Sequence, residues 1–324
     1  MHLSRRRPRA LVALFALVAL AVAACGDDKP TTTAAGTGGD ATTTSTVAVD
    51  PDRVLKISAI PDQDPSKLST INTTMATYLS TALGRKVEYV PVTDYAASVT
   101  LFKTGDLDMV FFGGLTGVQA RLQTPGAALL AQRDIDDAFQ SVFIANAGAK
   151  LAAVDDVKGL AELKGKRFTF GSESSTSGRL MPEYFLDQAG ITSATDFSGP
   201  AGFSGSHDKT IDLVQAGTYD AGALNLQVWK KRKEAGTVDV TKVVEILVSP
   251  PYHDYHWMAG PETDERFGTG FTDKLSEALL ALDYTKPEQA KLLDLYGAKK
   301  FIATSAGNYR EIEQIGRMLN LITG

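Results

Sequence analysis

From Val54 to Leu321, short apolar segments alternate with longer segments in which apolar residues recur every three or four positions. Short apolar runs are typical of buried strands, and the longer periodic segments are typical of amphipathic helices. The expected strands are 54–60, 87–90, 107–112, 127–131, 141–145, 167–170, 221–224 and 243–248. The expected helices are 68–83, 94–103, 159–163, 177–188, 208–215, 226–235, 273–282, 287–295 and 308–321. This alternation predicts an α/β fold with parallel or mixed sheets.

The N-terminus that precedes this region has the pattern of an export signal. Four arginines between Arg5 and Arg9 are followed by an apolar run of 15 residues, 10–24. Such a run is too short to span a bilayer as a helix, which needs about 20 residues. It fits the apolar part of a signal peptide, so residues 1–24 are expected to be removed from the mature protein.

Cys25 follows the small residues Val22, Ala23 and Ala24, and the chain has no other cysteine. Small residues before a lone cysteine resemble the lipobox of bacterial lipoproteins, in which the cysteine becomes N-terminal and lipid-modified. The alternative is an ordinary secretory cleavage site that leaves a free thiol, but an odd cysteine is unusual in an exported protein. We therefore expect lipidation at Cys25. The single cysteine also excludes an intrachain disulfide, so the core alone must hold the fold together.

Residues 25–52 consist mainly of threonine, glycine, alanine and aspartate and cannot bury a core. They are expected to form a flexible tether that keeps the folded part near a membrane partner. Removal of the signal and its four arginines takes the formal net charge from −5 to −9. An acidic exported chain is a poor candidate for nucleic-acid binding. It can still bind a small anion, because local N–H and O–H donors decide anion binding.

Two hydroxyl-rich stretches lie where helices are expected to begin. They are FGSESSTSG at 170–178 and FSGSHDKT at 203–210. The first N–H groups of a helix have no partner within the helix and the helix dipole is positive there, so these positions suit a small oxyanion. Each stretch alone is more commonly a set of ordinary N-caps. The two stretches together, in one α/β pattern, favour a ligand site.

These residues also carry a family resemblance. The ordered segments FTFGSESSTSG, GFSGSHDKT and YDAGALN, with PDQDPSKL, VPVTDYAASV and GDLDMVFFG upstream and SPPYHDYHW downstream, resemble the phosphate/phosphite/phosphonate substrate-binding proteins of ABC transporters. The similarity covers essentially the whole mature chain. It implies a two-lobed periplasmic-binding-protein fold of type II, the Venus flytrap, with the ligand in the inter-lobe cleft. The first lobe would be 54–146 plus 257–324, and the second would be 147–251.

The resemblance also implies which residues bind the ligand. Hydroxyls at a helix start would hold the oxyanion, with an imidazole beside them and a phenol from the opposing lobe. The implied residues are Tyr95, Ser175, Thr176, Ser177, His207, Asn225, Asp254 and Tyr255. Three of these residue types have ordinary alternatives. His207 is otherwise a surface residue at a helix start, Tyr95 a buried helix aromatic, and Asn225 a turn residue.

A carboxylate at Asp254 beside an anion makes chemical sense if the ligand carries a proton. A monoprotonated phosphonate or phosphite donates its O–H to the carboxylate, whereas a fully ionised anion such as sulfate is repelled. A ligand ammonium group would pair with the same carboxylate. The chain departs from the family pattern at Gly114 and Gly117, where relatives commonly have proline and tyrosine. One aromatic wall or donor is therefore expected to be missing, which leaves the ligand's substituent open.

Other functions have less support. His253, Asp254 and His256 lie in a segment that is predicted to be extended, and residues three apart on a strand point to opposite faces, so a metal site is not expected. No P-loop or nucleophile elbow occurs in the glycine- and serine-rich stretches. The alternatives are a binding protein for another small anion or zwitterion, an exported hydrolase, and a ligand-reading sensor subunit.

The sequence thus predicts a monomeric solute-binding lipoprotein outside the cytoplasm, anchored to the membrane through the lipid on Cys25. It would deliver a phosphorus oxyanion, phosphonate or phosphite rather than phosphate, to an ABC permease. No catalytic residue, metal, cofactor or nucleic-acid partner is expected.

Overall fold

The fold is built on two mixed β-sheets. This computed structural model describes residues 50–323 of the chain. The first sheet has six strands in the order β11-β4-β10-β3-β1-β2 and the second has five in the order β7-β6-β8-β5-β9. The first consists of β1 (Leu55–Ala59), β2 (Val87–Tyr89), β3 (Met109–Phe112), β4 (Ala128–Arg133), β10 (His256–Ala259) and β11 (Phe301–Ile302). The second consists of β5 (Ser141–Asn146), β6 (Phe168–Phe170), β7 (Gly202–Phe203), β8 (Ala221–Asn225) and β9 (Val243–Val248). The predicted signal peptide, Cys25 and nearly all of the predicted tether lie outside the described residues.

Each sheet combines parallel and antiparallel pairs. In the first, β1 is parallel to β2 and β3, while β10 runs antiparallel to β3 and β4. In the second, β6 is parallel to β7 and β8, while β5 runs antiparallel to β8 and β9. The chain enters the second sheet at β5 and returns to the first at β10. The predicted α/β class with mixed sheets is confirmed.

Helices connect the strands. They are α1 (Pro65–Leu83), α2 (Tyr95–Lys103), α3 (Gly114–Gln123), α4 (Met181–Gln188), α5 (His207–Gln215), α6 (Leu226–Glu234), α7 (Thr263–Phe267), α8 (Phe271–Leu280), α9 (Pro287–Tyr296) and α10 (Arg310–Met318). The first illustrates the local rules: the Asp64 side chain accepts the N–H of Ser66, proline follows at the first helical position, and Gly84 ends the helix in the left-handed conformation. Among the described residues, no helix combines the length and apolar character needed to cross a membrane.

The main difference from the sequence-based expectation is α3, which was not predicted. It begins with Gly114 and contains Gly117 in its interior, where glycine costs about 1 kcal/mol, so its local propensity is low. Burial of Leu115 and Val118 overrides this propensity. The strands β7, β10 and β11 and the helix α7 were also not predicted as such. The expected helix at 159–163 is a 3-10 helix, Val157–Leu163.

An aromatic layer connects the core of the first sheet to the segment that precedes β10. Phe111 on β3 stacks on Tyr255, with ring centroids 5.4 Å apart and planes at 24°, and packs against Trp257 at 5.1 Å. All three rings are buried. Since large packed rings have few alternative arrangements, this layer fixes the position of Tyr255 at the edge of the sheet.

Candidate ligand-binding site

The side chains implied by the sequence lie at the starts of helices and at strand ends. Tyr95 begins α2 and His207 begins α5, while Asn225 ends β8 and caps α6. Asp254 and Tyr255 directly precede β10. All eight residues are buried: Tyr95, Ser175, Thr176, Ser177, His207, Asn225, Asp254 and Tyr255. The surface alternative for His207 is therefore wrong, because its ring and main chain are fully enclosed.

The run of hydroxyls at 175–177 divides into different roles. Ser175 caps a π-helical turn, Thr176–Leu180, and its Oγ accepts the N–H of Gly178 at 2.9 Å. Thr176 Oγ1 accepts the N–H of Leu115 at 3.0 Å. Ser177 Oγ is buried without a hydrogen-bond partner in the protein. The Tyr252 phenol is a neighbour of this hydroxyl, which acts to lower the pKa of Tyr252 against the larger effect of burial. Ser177 Oγ lies beside N–H groups that begin the helix.

Among the eight implied residues, two further buried polar atoms have no partner in the protein: Tyr95 Oη and Asp254 Oδ2. Burial and the Asp62 carboxylate raise the pKa of Tyr95 well above its ordinary value, so its phenol keeps a proton to donate. The other oxygen of Asp254 accepts the N–H of Gly114 at 2.8 Å. Burial raises the pKa of Asp254 to about 7, against the opposing effects of Gly114 and Thr176. We call Tyr95, Ser177 and Asp254 the unpartnered group.

A second set of buried polar residues is fully connected. Tyr255 Oη donates to Asp62 Oδ2 at 2.8 Å and accepts from Asn225 Nδ2 at 3.2 Å. Asn225 Oδ1 accepts the N–H groups of Gln227 and Val228, so the carbonyl end of this amide serves as an N-cap. We call Asp62, His207, Asn225 and Tyr255 the partnered group.

His207 belongs to the partnered group through both of its ring nitrogens. Its Nδ1 accepts the N–H of Asn225 at 3.4 Å, and its Nε2 lies 3.4 Å from Tyr255 Oη. Burial lowers the pKa of His207 to about 4, so the ring is neutral at physiological pH. Because Nδ1 acts as an acceptor, we assign the proton to Nε2, which points toward the Tyr255 hydroxyl.

The buried polar residues described above lie within a region that matches a known protein family. A family model described as "ABC transporter, phosphonate, periplasmic substrate-binding protein" matches residues 57–309. The chain belongs to this family. The family resemblance predicted from the sequence motifs is therefore confirmed.

Two curated relatives and one solved structure support the assignment to this phosphonate-binding family. The "Probable ABC transporter phosphite binding protein PhnD1" of Prochlorococcus marinus is 49% identical over 270 residues, which cover 83% of this chain and 91% of the relative. The "Phosphate-import protein PhnD" of Mycolicibacterium smegmatis is 32% identical and the match covers 64% of this chain and 62% of that protein. A structure of the Prochlorococcus PhnD1 in complex with methylphosphonate superposes with a TM-score of 0.82, covering 84% of this chain and 100% of that one. The periplasmic-binding-protein fold is confirmed, and the chain is an extracytoplasmic solute-binding component of an ABC importer.

Two residues of this phosphonate-binding family member were missed by sequence reasoning, and the first is Asp62. Its Oδ2 receives the Tyr255 hydroxyl and its main-chain oxygen receives the N–H of His207 at 2.9 Å. Burial raises its pKa to about 6, although the Tyr255 hydroxyl acts in the opposite direction. The available signal was an aspartate just after a predicted strand, where open α/β sheets place ligand contacts.

The second missed residue is Arg133, at the end of β4. Its guanidinium forms a bidentate pair with Asp136, with Nε–Oδ2 and Nη2–Oδ1 distances of 2.7 and 2.6 Å. It also lies over the ring of Tyr255, 4.7 Å from the centroid. This buried cation lowers the pKa values of Asp62 and Asp254, although burial dominates at both. Arg133 thus offsets the negative charge that three buried carboxyls bring to this region.

The two glycines that depart from the family pattern have definite neighbours. A Cβ at Gly117 would lie 2.3 Å from the ring of His256, so the imidazole fills the space beside this glycine. That ring packs on Tyr309 with centroids 4.1 Å apart. His256 therefore fills the space that a side chain at position 117 would enter. At Gly114, the main-chain N–H supplies the hydrogen bond to Asp254 that a proline would lack.

The neighbours of His207 do not form the catalytic pair that the hydrolase alternative requires. The hydrogen-bond partners of the His207 ring are Asn225 and Tyr255 rather than a serine, so the base–nucleophile pair of a hydrolase is not formed there. Within residues 50–323, no three His, Cys, Asp or Glu side chains are grouped so that they would hold a metal ion.

Proposed function

We propose that this protein binds a phosphorus oxyanion, a phosphonate or phosphite in preference to phosphate, and presents it to an ABC permease without chemical change. The proposal rests on one observation: Tyr95 Oη, Ser177 Oγ and Asp254 Oδ2 are buried without protein partners. Leaving a buried donor or acceptor unsatisfied costs about 1–3 kcal/mol each. Donors for ligand oxygens and an acceptor for a ligand proton would recover this cost on binding.

The acceptor, Asp254 Oδ2, would select anions that carry a proton. With a pKa of about 7, Asp254 and a ligand oxygen of similar acidity would share one proton between them. Phosphonate and phosphite monoanions carry such a proton, and sulfate does not carry one near neutral pH. The hydroxyls and helix N–H groups would hold the remaining oxygens.

The preference over phosphate follows from the apolar atoms beside the carboxyl. Ile60 Cδ1 and Asp254 Oδ1 each lie 3.3 Å from the place where a Cβ at Gly113 would stand, so an apolar side chain and this carboxyl both lie beside Gly113. A fourth phosphate oxygen would need another partner, whereas a P–H or P–CH₃ group needs none. The phosphite and methylphosphonate in the names of the 49% identical relative and its structure have such groups.

We also propose that two lobes close on the ligand. The predicted bounds, 54–146 with 257–324 and 147–251, need one correction: β5 (Ser141–Asn146) pairs with β8 and β9, so it belongs to the second lobe. Contacts between the two proposed lobes support a closed form: Asp208 accepts the N–H of Asp64 at 2.9 Å and lies 3.3 Å from Lys67 Nζ. A ligand that contacts both lobes stabilises this state over an open one, which is how it would report its presence to the permease.

Calorimetric titration of the mature chain with phosphite, methylphosphonate, phosphate and sulfate tests the ligand class. We expect phosphite or methylphosphonate to bind at least about tenfold more tightly than phosphate and sulfate, a difference of about 1.4 kcal/mol or more. Sulfate binding as tightly as phosphite would contradict the role of Asp254. No binding of any phosphorus oxyanion would overturn the proposed function.

The membrane anchor is a separate proposal. Lipidation of Cys25 would hold the protein at the cell membrane, and two or more acyl chains hold firmly where one holds weakly. We expect Cys25→Ser to release the full-length protein from the membrane fraction or to block its processing. Retention of the Cys25→Ser protein at the wild-type level would exclude lipid attachment at this sulfur.

A further inference from the structure

The carboxyl of Asp254 is held by the main chain of a neighbouring helix. The N–H of Gly114, at the first position of α3, donates to Oδ1 at 2.8 Å, and both groups are buried. The Asp254 main-chain N–H in turn donates to the carbonyl of Asp136 at 3.1 Å. The Asp254 residue is thus held by two hydrogen bonds, one at its main-chain N–H and one at Oδ1 of its side chain.

The two carboxyl oxygens consequently differ. Oδ1 has a fixed charge-assisted donor, whereas Oδ2 has no partner in the protein. A donor on Oδ1 stabilises the ionised carboxyl and leaves Oδ2 as the free acceptor. If the carboxyl were protonated instead, it would present an O–H donor and would favour fully ionised anions.

We infer that Gly114 is a positioning residue for ligand selectivity, whose main-chain N–H turns Asp254 Oδ2 toward the ligand as an acceptor for the ligand's O–H. This inference rests on the proposed function. It assigns to a backbone group in α3 the choice between a protonated and a fully ionised anion.

Gly114 is the strongest hydrogen-bond donor among the groups that act on the Asp254 carboxyl. Burial is the largest influence on its pKa and raises it, and Gly114 is the largest influence that lowers it. Thr176 and the more distant Arg133 also lower it, and Asp136 raises it. The His256 ring faces the main-chain carbonyl of Asp254 and not its carboxyl. Four phenols with raised pKa values also feel the charge of this carboxyl: Tyr95, Tyr252, Tyr255 and Tyr309.

Gly114 allows a matched pair of variants. An added Cβ would lie 3.2 Å from the His253 carbonyl oxygen and 3.4 Å from Thr176 Cγ2, which is tight. Gly114→Ala adds this Cβ and keeps the N–H. Gly114→Pro adds the same Cβ, removes the N–H and puts a ring carbon where its hydrogen lies. Proline is favoured at the first helical position, and the preceding Gly113 has the extended backbone that proline requires, φ −78° and ψ 166°.

The first measurement is a carbon-detected NMR titration of the Asp254 carboxyl in the ligand-free protein. Loss of a charge-assisted hydrogen bond should raise its pKa by about 1 to 2 in Gly114→Pro, and Gly114→Ala should stay near the wild-type value. Equal pKa values in the two variants would overturn the inference, because glycine would then matter only for packing.

A second measurement uses the wild-type chain and does not depend on whether the proline variant folds. The amide proton of Gly114 should titrate with the midpoint of Asp254, since its donor strength follows the charge on Oδ1. This titration should vanish in Asp254→Asn. An amide shift that is independent of pH in the wild type, or unchanged in Asp254→Asn, would contradict the inference.

The ligand arm compares sulfate with phosphite at about pH 7. Gly114→Pro should lower the ratio of sulfate Kd to phosphite Kd by about tenfold, relative to Gly114→Ala, because its carboxyl remains protonated. An unchanged ratio would overturn the selectivity role. If neither anion binds the wild type, the proposed function fails, while the two NMR titrations still decide whether Gly114 controls Asp254.

Discussion

The unpartnered group and the partnered group are buried alike, yet they differ in what the protein already supplies to their polar atoms. The Tyr255 hydroxyl donates its hydrogen bond to Asp62 and accepts one from Asn225. In this arrangement its O–H does not point to an oxyanion. Ser177 Oγ and Asp254 Oδ2 have no such partners. The difference teaches that burial and residue type alone do not separate the two groups, whereas the hydrogen bonds that the protein already supplies do. Affinity is expected to depend on the first group and stability on the second.

The largest expected effect comes from Asp254, a member of the unpartnered group, and concerns how the stability of the protein depends on pH. The pKa of Asp254 is raised to about 7, so the folded protein binds more protons than the unfolded chain between about pH 4 and pH 7, and wild-type stability falls as pH rises through this window. Asp254→Asn removes this loss. The unfolding free energy of the variant minus that of the wild type should therefore grow by roughly 4 kcal/mol from pH 4 to pH 7.

This difference isolates Asp254, because the other shifted groups are present in both proteins. His207 and His256, with pKa values lowered to about 4, add stability as pH rises to about 6.5, and Asp62 acts in the opposite direction up to about pH 6. Denaturant unfolding of ligand-free samples at several pH values measures the difference. A difference that stays constant with pH would mean that the Asp254 carboxyl is not perturbed.

The next effect is on affinity. Ser177→Ala should weaken phosphite or methylphosphonate binding by about 10- to 150-fold, because a donor to a charged oxygen contributes about 1.5–3 kcal/mol. Ser174→Ala, in the same loop but outside the unpartnered group, is the control and should leave the calorimetric Kd within about twofold. Equal Kd values for Ser177→Ala and the control would place the oxyanion elsewhere.

Tyr255→Phe should produce the opposite pattern. Asp62 would lose the hydroxyl that donates to its Oδ2, and an unsatisfied buried acceptor costs about 1–3 kcal/mol of unfolding free energy. Because that hydroxyl has no proton left for the ligand, Kd should change by less than about threefold. A loss of affinity beyond tenfold with unchanged stability would move Tyr255 into the unpartnered group.

The smallest effect is expected at Asn225, whose Oδ1 caps α6. Asn225→Ala should lower the unfolding free energy by about 1 kcal/mol, and Asn225→Ser should retain most of the cap. Thermal unfolding of the two variants side by side measures the cap. Destabilisation by the serine variant equal to that of alanine would show that the bond to Tyr255, and not the cap, is what Asn225 contributes.

The sequence was sufficient for the strands and helices whose apolar periodicity is strong. β9 begins and ends where its apolar run does, and α1 carries its own cap and stop residues. The helix α3 was beyond prediction, because its two glycines oppose helix formation and only tertiary burial supports it. Local signals therefore specify elements, and the neighbours of Gly114 and Gly117 appear only in the folded chain.

The candidate site shows the same division. The hydroxyl run 175–177 and the pair Asp254–Tyr255 were found from their motifs, but a motif cannot tell a capping serine from an unpartnered one. Asp62 was missed because its partner, Tyr255, is 193 positions away in sequence. Arg133 was missed because its effect passes through a ring and two carboxyls that lie on other elements.

The most direct test of the central claim is the number of protons taken up on binding, obtained by calorimetry in buffers of different ionisation enthalpy at about pH 9. Both the Asp254 carboxyl and a phosphite or methylphosphonate ligand are ionised there, so formation of the shared proton requires uptake of one proton from solution. We predict uptake of one proton per ligand by the wild type and none by Asp254→Asn. No uptake by the wild type, or the same uptake by both proteins, would contradict the account.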